Sequence, residues 1–344
     1  MSNWDFKAAR LDANGKVEII DLSDEQKART GEYIRALEIA KNSVVANPSF
    51  SQYFVKEGIG VVGGKMLAAG NIEYGICQAL HAEEAAVAAF RSHYGRKANK
   101  NVILGILAGN PGNIASPCGN CRDILLEDLG QDFEIVCGAP AGGIAVVTKM
   151  SDYLFSDFKR VSITKAPLEL VKSAILTIYQ GEQLVNDAYS PQQLHPERRY
   201  HASIITYSHT FFGARDVMCE YHPIYALRDA IRQARRAKDP FIQTVIVVCE
   251  DFGNGAPQVM YKDRQHLLEL NVQAELLSGK EDDPPVYLMS YQKETKNIVA
   301  IWKTSVKEWI PFVFSPRNFG PEFVEYLTEY FHNQFGESLS SRIR

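Results

Sequence analysis

Apolar residues recur at helical spacing through residues 24–45 (DEQKARTGEYIRALEIAKNSVV), after which the pattern changes to short apolar runs broken by glycine. GIGVVGGKMLAAGNIE reads as two short strands joined across Gly63 and Gly64. A helix is predicted from about Leu80 to Ser92, then an apolar strand, NVILGILA, then a helix opening at Cys118. EIVCG and GIAVVTK close this half as strands near Lys149. Strands and helices alternating at these lengths predict an α/β domain of three layers, with helices packed on a mixed sheet.

The second half repeats the order. LVKSAILTIYQGEQLVNDAYS reads as a helix, YHASIITYSH and the residues after it as strands, and PIYALRDAIRQARRA as a helix. TVIVVCED, KDRQHLLELNVQAELL, PVYLMSY and NIVAIWKTSV then supply strand, helix, strand and strand. The repetition predicts a duplicated fold. Its expected division is a first domain over 1–158, a linker and first repeat helix over 159–190, and a second domain over 191–344. The last stretch, 307–344, is a tail with Trp309, Phe312, Phe314 and a final helix, PEFVEYLTEYFHNQF, whose aromatics are read as core.

Composition adds an ordinary soluble class. Of 344 residues, 46% are hydrophobic and 23% charged, close to globular averages, and the length suits two domains. A net charge of -4 and a pI near 6.1 give no general attraction to polynucleotide phosphate, so nucleic acid is not the expected partner. The densest basic run, Arg228, Arg232, Arg235, Arg236 and Lys238, has helical spacing and reads as a solvated face. No apolar segment approaches the roughly 18 residues of a membrane span, and the start MSNWDFKAARLD carries no signal-peptide core. A cytoplasmic chain without a membrane partner is expected. Cys77, Cys137, Cys219 and Cys249 form no disulfide-like framework and are expected to be reduced.

The candidate chemistry lies in two short segments, His81-Ala82-Glu83 and Pro117-Cys118-Gly119-Asn120-Cys121. One imidazole and two thiolates leave a fourth position open on Zn2+, and the metal brings a bound water toward neutral pKa. Glu83, two residues from His81, can face that water without binding the metal and shuttle its proton. Cys118 and Cys121 share a helical face. A structural zinc site or a redox CxxC is the alternative, but no fourth ligand is evident beside the triad. H-x-E followed by P-C-x-x-C is the pattern of zinc nucleobase deaminases.

Setting His222 against His81 and Arg264 against Arg122 uses offsets of 141 and 142. Glu83 then falls on Ile224, Cys118 on Met260 and Cys121 on Asp263, so the second half has lost the ligands and one zinc per chain is expected.

HAEEAA, PCGNCRDILLE and Asn71-Ile72-Glu73 resemble the H-A-E, P-C-G-x-C-R and N-x-E segments of the cytidine deaminase family, in particular its dimeric form with a catalytic and a degenerate domain. The likeness covers residues 24–158 by motif, ending in YLFSDF, and the remainder by order of elements. It implies the three-layer α/β/α cytidine deaminase-like fold twice in tandem. His81, Cys118 and Cys121 would hold zinc, and Glu83 would be the general acid and base. Asn71 and Glu73 would bond ribose hydroxyls, with Ala82 of the H-A-E segment also against the substrate. Phe54 or Tyr53 would stack on the base, although the family's F-x-V-G-A stretch is blurred here into FVKEGIGVV. Arg122 would donate to a zinc thiolate; the plain alternative is a solvated helix residue. Asp123 departs from the family's frequent glutamine, and residues 108–114 open a loop before the cysteines.

The implied reaction is deamination of cytidine and deoxycytidine by a homodimer with one zinc per chain. A modified or antibiotic aminopyrimidine nucleoside is the next substrate, followed by a polynucleotide cytosine. A zinc-binding protein without turnover is the reading from outside enzymology.

Overall fold

A computed structural model of the chain describes residues 4–11, 17–42, 54–75, 78–95, 101–108, 114, 116–153, 159–184, 200–213, 225–251, 253, 256–310 and 321–339. Tyr53, Cys77, Cys219, His222, Phe312, Phe314 and the stretches 109–113 and 154–158 lie outside them. The chain divides into two compact units, Met1–Ser156 with Ile310–Val324 and Asp157–Trp309 with Glu325–Arg344.

The first unit runs β1 (Trp4–Leu11), β2 (Val17–Ile20), α1 (Asp24–Ala28), α2 (Thr30–Asn42), β3 (Val55–Val61), β4 (Met66–Gly70), β5 (Ile72–Gly75), β6 (Gln78–Leu80) and α3 (Ala82–Tyr94). It continues with β7 (Val102–Ala108), α4 (Gly119–Leu129), β8 (Glu134–Gly138), β9 (Gly143–Lys149) and α5 (Met150–Tyr153). The second unit holds β10 (Lys159–Val161), α6 (Leu168–Leu184), β11 (Tyr200–Thr206), β12 (Thr210–Gly213), α7 (Ala226–Arg236), β13 (Ile242–Glu250), α8 (Tyr261–Ser278), β14 (Pro285–Tyr291) and β15 (Ile298–Ser305). A last helix, α9, spans Pro321–Leu339.

The fold is α/β. The first sheet has the order β2-β1-β9-β8-β7-β3-β4 and the second β10-β15-β14-β13-β11-β12. Within them β9-β8-β7-β3-β4 and β15-β14-β13-β11-β12 share both order and direction, with one parallel pair each, β7 with β8 and β13 with β14. The units differ at the edges. β1 and β2 extend the first sheet, and β5 and β6 form a separate hairpin.

Alternation along the strands gives the first unit a core on each face. Ile103, Leu107 and Val136 pack with Tyr33, Ala36, Leu37 and Ala40 of α2. Ile59, Leu104, Ile106 and Ile135 pack with Ala86, Val87 and Phe90 of α3 and with Leu125 and Leu129 of α4. The helices carrying His81 and the cysteines therefore lie on one face together. In the second unit Ile246, Val248, Met289 and Ile301 meet Ala174 and Ile178 of α6.

α2 seats in a notch made by two glycines paired across strands, Gly58 and Gly105. A Cβ at Gly58 would stand 2.2 Å from the Ala36 carbonyl oxygen, and one at Gly105 2.8 Å from the Ala36 carbonyl carbon. The obstacle is backbone, so the helix itself must move. Gly58→Ala should destabilise the protein by about 1–3 kcal/mol. Equilibrium denaturation checks this, and an unchanged midpoint would show that α2 slides without cost.

The predicted single helix over 24–45 is two helices. Ser23 and Gln26 form a capping box at the start of α1. Arg29, at the break, reaches Glu25 at 2.8 Å and the buried Glu134 at 3.0 Å, and Tyr33 also donates to Glu134. The bend lets two residues of this segment satisfy one buried carboxylate. The basic run is exposed at Arg232, Arg235 and Arg236 of α7 and at Lys238 just after it, but Arg228 turns inward.

Candidate active site

α3 buries Ala82, Glu83, Ala86, Val87 and Phe90, a stripe of helical period in which Glu83 occupies a core-facing position. Glu83 is only 5% exposed. His81 is the N-cap of α3 and Cys118 the N-cap of α4, each in extended conformation, so their side chains leave the chain just before the helix winds. Cys121 enters from the first turn of α4 and is fully buried.

These elements bring three donors together. His81 Nδ1 lies 3.4 Å from Cys118 Sγ and 3.3 Å from Cys121 Sγ, and the two sulfurs are 3.5 Å apart. Ligands at zinc's bond lengths in a tetrahedron stand roughly 3.6–3.8 Å apart, so the group fits such an ion with small adjustment. Among the described residues it is the group of His, Cys, Asp and Glu side chains placed to hold a metal. The donors are an imidazole and two sulfurs, which suits zinc over a hard cation.

Without a metal the protons are divided unevenly. The Cys118 thiol is held well below its usual range, first by the hydrogen bond from Cys121 and also by His81. Burial pushes the Cys121 thiol well up. The His81 imidazole is pushed up to about 9, first by its bond with Cys118. Metal binding must therefore displace protons from His81 and Cys121. Burial, then the Cys118 charge, raises the Glu83 carboxyl.

Glu84 and Asn120, which the sequence reading passed over, fix the two helix starts. Glu84 Oε2 accepts from the His81 backbone N–H at 2.9 Å, and its Oε1 accepts from Asn120 Nδ2 at 2.9 Å. The signal was present, because a glutamate three residues after an N-cap is capping-box spacing.

Arg122 is fully buried, and its Nε donates to the Pro117 carbonyl at 2.9 Å while the guanidinium lies 4.8 Å from the Tyr153 ring. Burial removes the solvated-helix alternative. Arg264 repeats the arrangement in the second unit, donating to the Val259 carbonyl at 3.0 Å and lying 4.3 Å from the Tyr261 ring. Because Met260 and Asp263, in place of cysteines, open α8 beside Arg264, this bond serves the helix start. Asp123 is 9% exposed.

Asn71 is buried. Its Oδ1 accepts from the Val55 N–H at 3.0 Å and its own N–H donates to the Val55 carbonyl, which ties the end of β4 to the start of β3. Glu73 lies on β5, paired with Ala79 of β6. Phe54 precedes β3 and is 43% exposed, whereas Ala82 is buried.

Glu57 was missed. It alternates on β3 with Val55, Ile59 and Val61, which all join the core under α3 and α4, so it projects from the same face. Burial, then the neighbouring Glu83 carboxylate, pushes its carboxyl well above the usual range, and the Cys118 charge adds to this. The signal was a carboxylate at an inward position of a strand, which the reading treated only as a blurred family motif.

The second unit shows what replaces the donors. α7 begins after its N-cap Tyr225, so alignment by helix starts puts Tyr225 opposite His81, in place of His222, and Leu227 opposite Glu83. Met260 and Asp263 stand where Cys118 and Cys121 do. Arg228 occupies the place of Glu84 and pairs with the fully buried Asp263 at 2.5 Å. Tyr200 donates to Asp263 at 3.3 Å and stacks on Tyr225 at 6.2 Å between ring centroids.

No family model and no curated protein matches the chain. Among solved structures, cytidine deaminase from Burkholderia pseudomallei is 20% identical, covering 36% of this chain and 93% of its own, with a TM-score of 0.30. That from Mycobacterium leprae is 27% identical over 35% of this chain and 90% of its own, with a TM-score of 0.26. The chain is likewise similar to cytidine deaminase from Mycobacterium tuberculosis, 25% identical over 39% of this chain and 95% of that one, with a TM-score of 0.28.

Proposed function

We propose that the first unit is a zinc-dependent hydrolytic deaminase of an aminopyrimidine nucleoside, with cytidine and deoxycytidine as the leading substrates. The observation that carries this reading is the convergence of His81, Cys118 and Cys121 beside a buried carboxylate, Glu83, outside the donor group. His81, Cys118 and Cys121 would hold the ion, one per chain. Bound there, zinc supplies Lewis acidity that makes water nucleophilic near neutral pH.

Glu83 does the proton work. It takes the proton from the attacking water, delivers it to the ring nitrogen beside the carbon under attack, and assists departure of the amine as ammonia. Glu84 and Asn120 hold the helix starts in register while charge changes, so the donors need not reorganise. Asn71, through its amide N–H, and Glu73 would meet the sugar hydroxyls, Phe54 would lie on the base, and Ala82 would leave room for the ring. Arg122 would steady the segment before Cys118 and tune its sulfur.

The protein would act as a cytoplasmic homodimer on small molecules. Among the described residues no helix is long and apolar enough to cross a membrane. A modified or antibiotic aminopyrimidine nucleoside is the second reading.

The test is ammonia release from cytidine, deoxycytidine, free cytosine, base-modified cytidines and a single-stranded oligonucleotide, with metal analysis of the same sample. One zinc per chain and turnover of nucleosides above free base and oligonucleotide is expected. Zinc without ammonia release from any member would instead make this a binding protein.

A further inference from the structure

A cavity of about 370 Å³ lies within the second unit, a volume in the range of small-molecule sites. One face of α8 lines it through Asn271, Ala274, Glu275 and Ser278, which recur at helical spacing. Tyr207, in the turn between β11 and β12, lines it too, as do Phe241 and Ile242 where β13 begins. These walls are fastened. The buried Asp239 accepts from Thr206 Oγ1 at 2.7 Å and stands 2.9 Å from His209 Nδ1, which ties the turn carrying Tyr207 to the segment carrying Phe241. Asp282, also on the lining, is held at both backbone atoms: its N–H donates to Glu275 Oε1 at 3.2 Å and its carbonyl accepts from Asn271 Nδ2 at 3.0 Å. The cavity is therefore preformed.

The first unit has no counterpart to this wall. By the offset that sets Met260 opposite Cys118, Asn271 falls on Leu129, the last residue of α4, whereas α8 continues to Ser278. Leu129 joins the apolar core, and a packing role at 271 would call for a similar side chain. Asn271 instead buries an amide that is 1% exposed, with its nitrogen turned to Asp282 and Glu275. Among the described residues nothing donates to its oxygen, and that oxygen is not sealed from solvent. It is an acceptor offered to the cavity. Lys307 neutralises Glu275 at 2.7 Å, which leaves Glu281 and Asp282 against Lys280 on the lining, so the site disfavours an anion. Tyr207 is 67% exposed and presents a ring to a planar group. We propose that this cavity binds a planar heteroaromatic amine carrying no phosphate or carboxylate, with its ring against Tyr207 and its amino N–H donated to Asn271 Oδ1. The site does not depend on the deaminase reading.

Adenosine serves as the probe, compared with purine riboside, which lacks the amino group, and AMP, which adds a phosphate. Calorimetric titration of the full chain should give saturable adenosine binding, weakened about tenfold or more by Tyr207→Ala and by Asn271→Leu, the change that copies Leu129. Purine riboside and AMP should each bind about tenfold or more weakly than adenosine. No saturable adenosine binding at millimolar concentration would overturn the proposal. Adenosine affinity that stays within threefold in either folded variant would overturn it as well, because the probe then sits elsewhere. Purine riboside binding as tightly as adenosine removes the bond to Asn271, and AMP binding as tightly removes the charge argument; either result sinks the assignment. If Asn271→Leu lowers the thermal midpoint, Tyr207→Ala decides alone, since its exposed side chain can be removed without opening the core.

Discussion

Glu83→Gln is expected to lower kcat for ammonia release by about 10²–10⁴-fold, the usual worth of a positioned general acid and base, while leaving one zinc per chain. The substitution keeps the shape of a side chain that is 5% exposed, so the stripe of α3 should pack as before. An amide accepts a hydrogen bond but cannot take the proton from water. The proposed metal donors, His81, Cys118 and Cys121, all remain. Turnover and metal analysis on one preparation make the measurement. Loss of zinc together with activity would move Glu83 into the ligand set, and activity near wild type would remove it from the chemistry.

Arg228→Ala should cost about 3–5 kcal/mol at neutral pH, the penalty for leaving one partner of a buried ion pair alone. Asp263 is fully buried and would keep only the 3.3 Å bond from Tyr200, while Arg228 is itself 19% exposed. Burial already raises the Asp263 carboxyl against the opposing pull of Arg228. Removing that pull raises it further. A carboxyl whose folded pKa lies above its unfolded value binds protons more tightly when folded. The deficit should therefore be greatest above the folded pKa and shrink as pH falls toward the unfolded value of about 4. Denaturation series at several pH values read this directly, and Asp263→Asn added to Arg228→Ala should restore most of the loss. A deficit that grew on acidification would contradict the burial argument.

Much of the layered fold could be read from periodicity, because both core faces of the first sheet are apolar at the right spacing. The N-terminal strand was legible as well, since Trp4, Phe6 and Ala8 alternate with Asp5 and Lys7, but the segment was considered only as a leader. β1 pairs in parallel with β9, far along the chain, and local pattern carries no information about such a partner. The break at Arg29 was hidden for a similar reason, because Glu134 lies 105 residues away.

At the site, residue type and short spacing indicated His81, Glu83, Cys118 and Cys121. Glu84, Asn120 and Glu57 act through partners or surroundings that only the folded chain supplies. The offset that placed His222 opposite His81 overlooked Tyr225, since a tyrosine gives no sign in sequence that it begins a helix. Arg264 shows the opposite case, a residue whose match with Arg122 held through to the same bond.

The Arg228 and Asp263 pair also bears on descent. If the second unit once held a metal, restoring a cysteine at 263 would strand the arginine, and restoring a glutamate at 228 would set two carboxylates together in the interior. Each single step back passes through a less stable protein, while a histidine and a second cysteine would still be missing. On that history, loss of a metal from the second unit would behave as a ratchet: once the Arg228 and Asp263 charges had locked, no single substitution would lead back toward a metal site without a loss of stability.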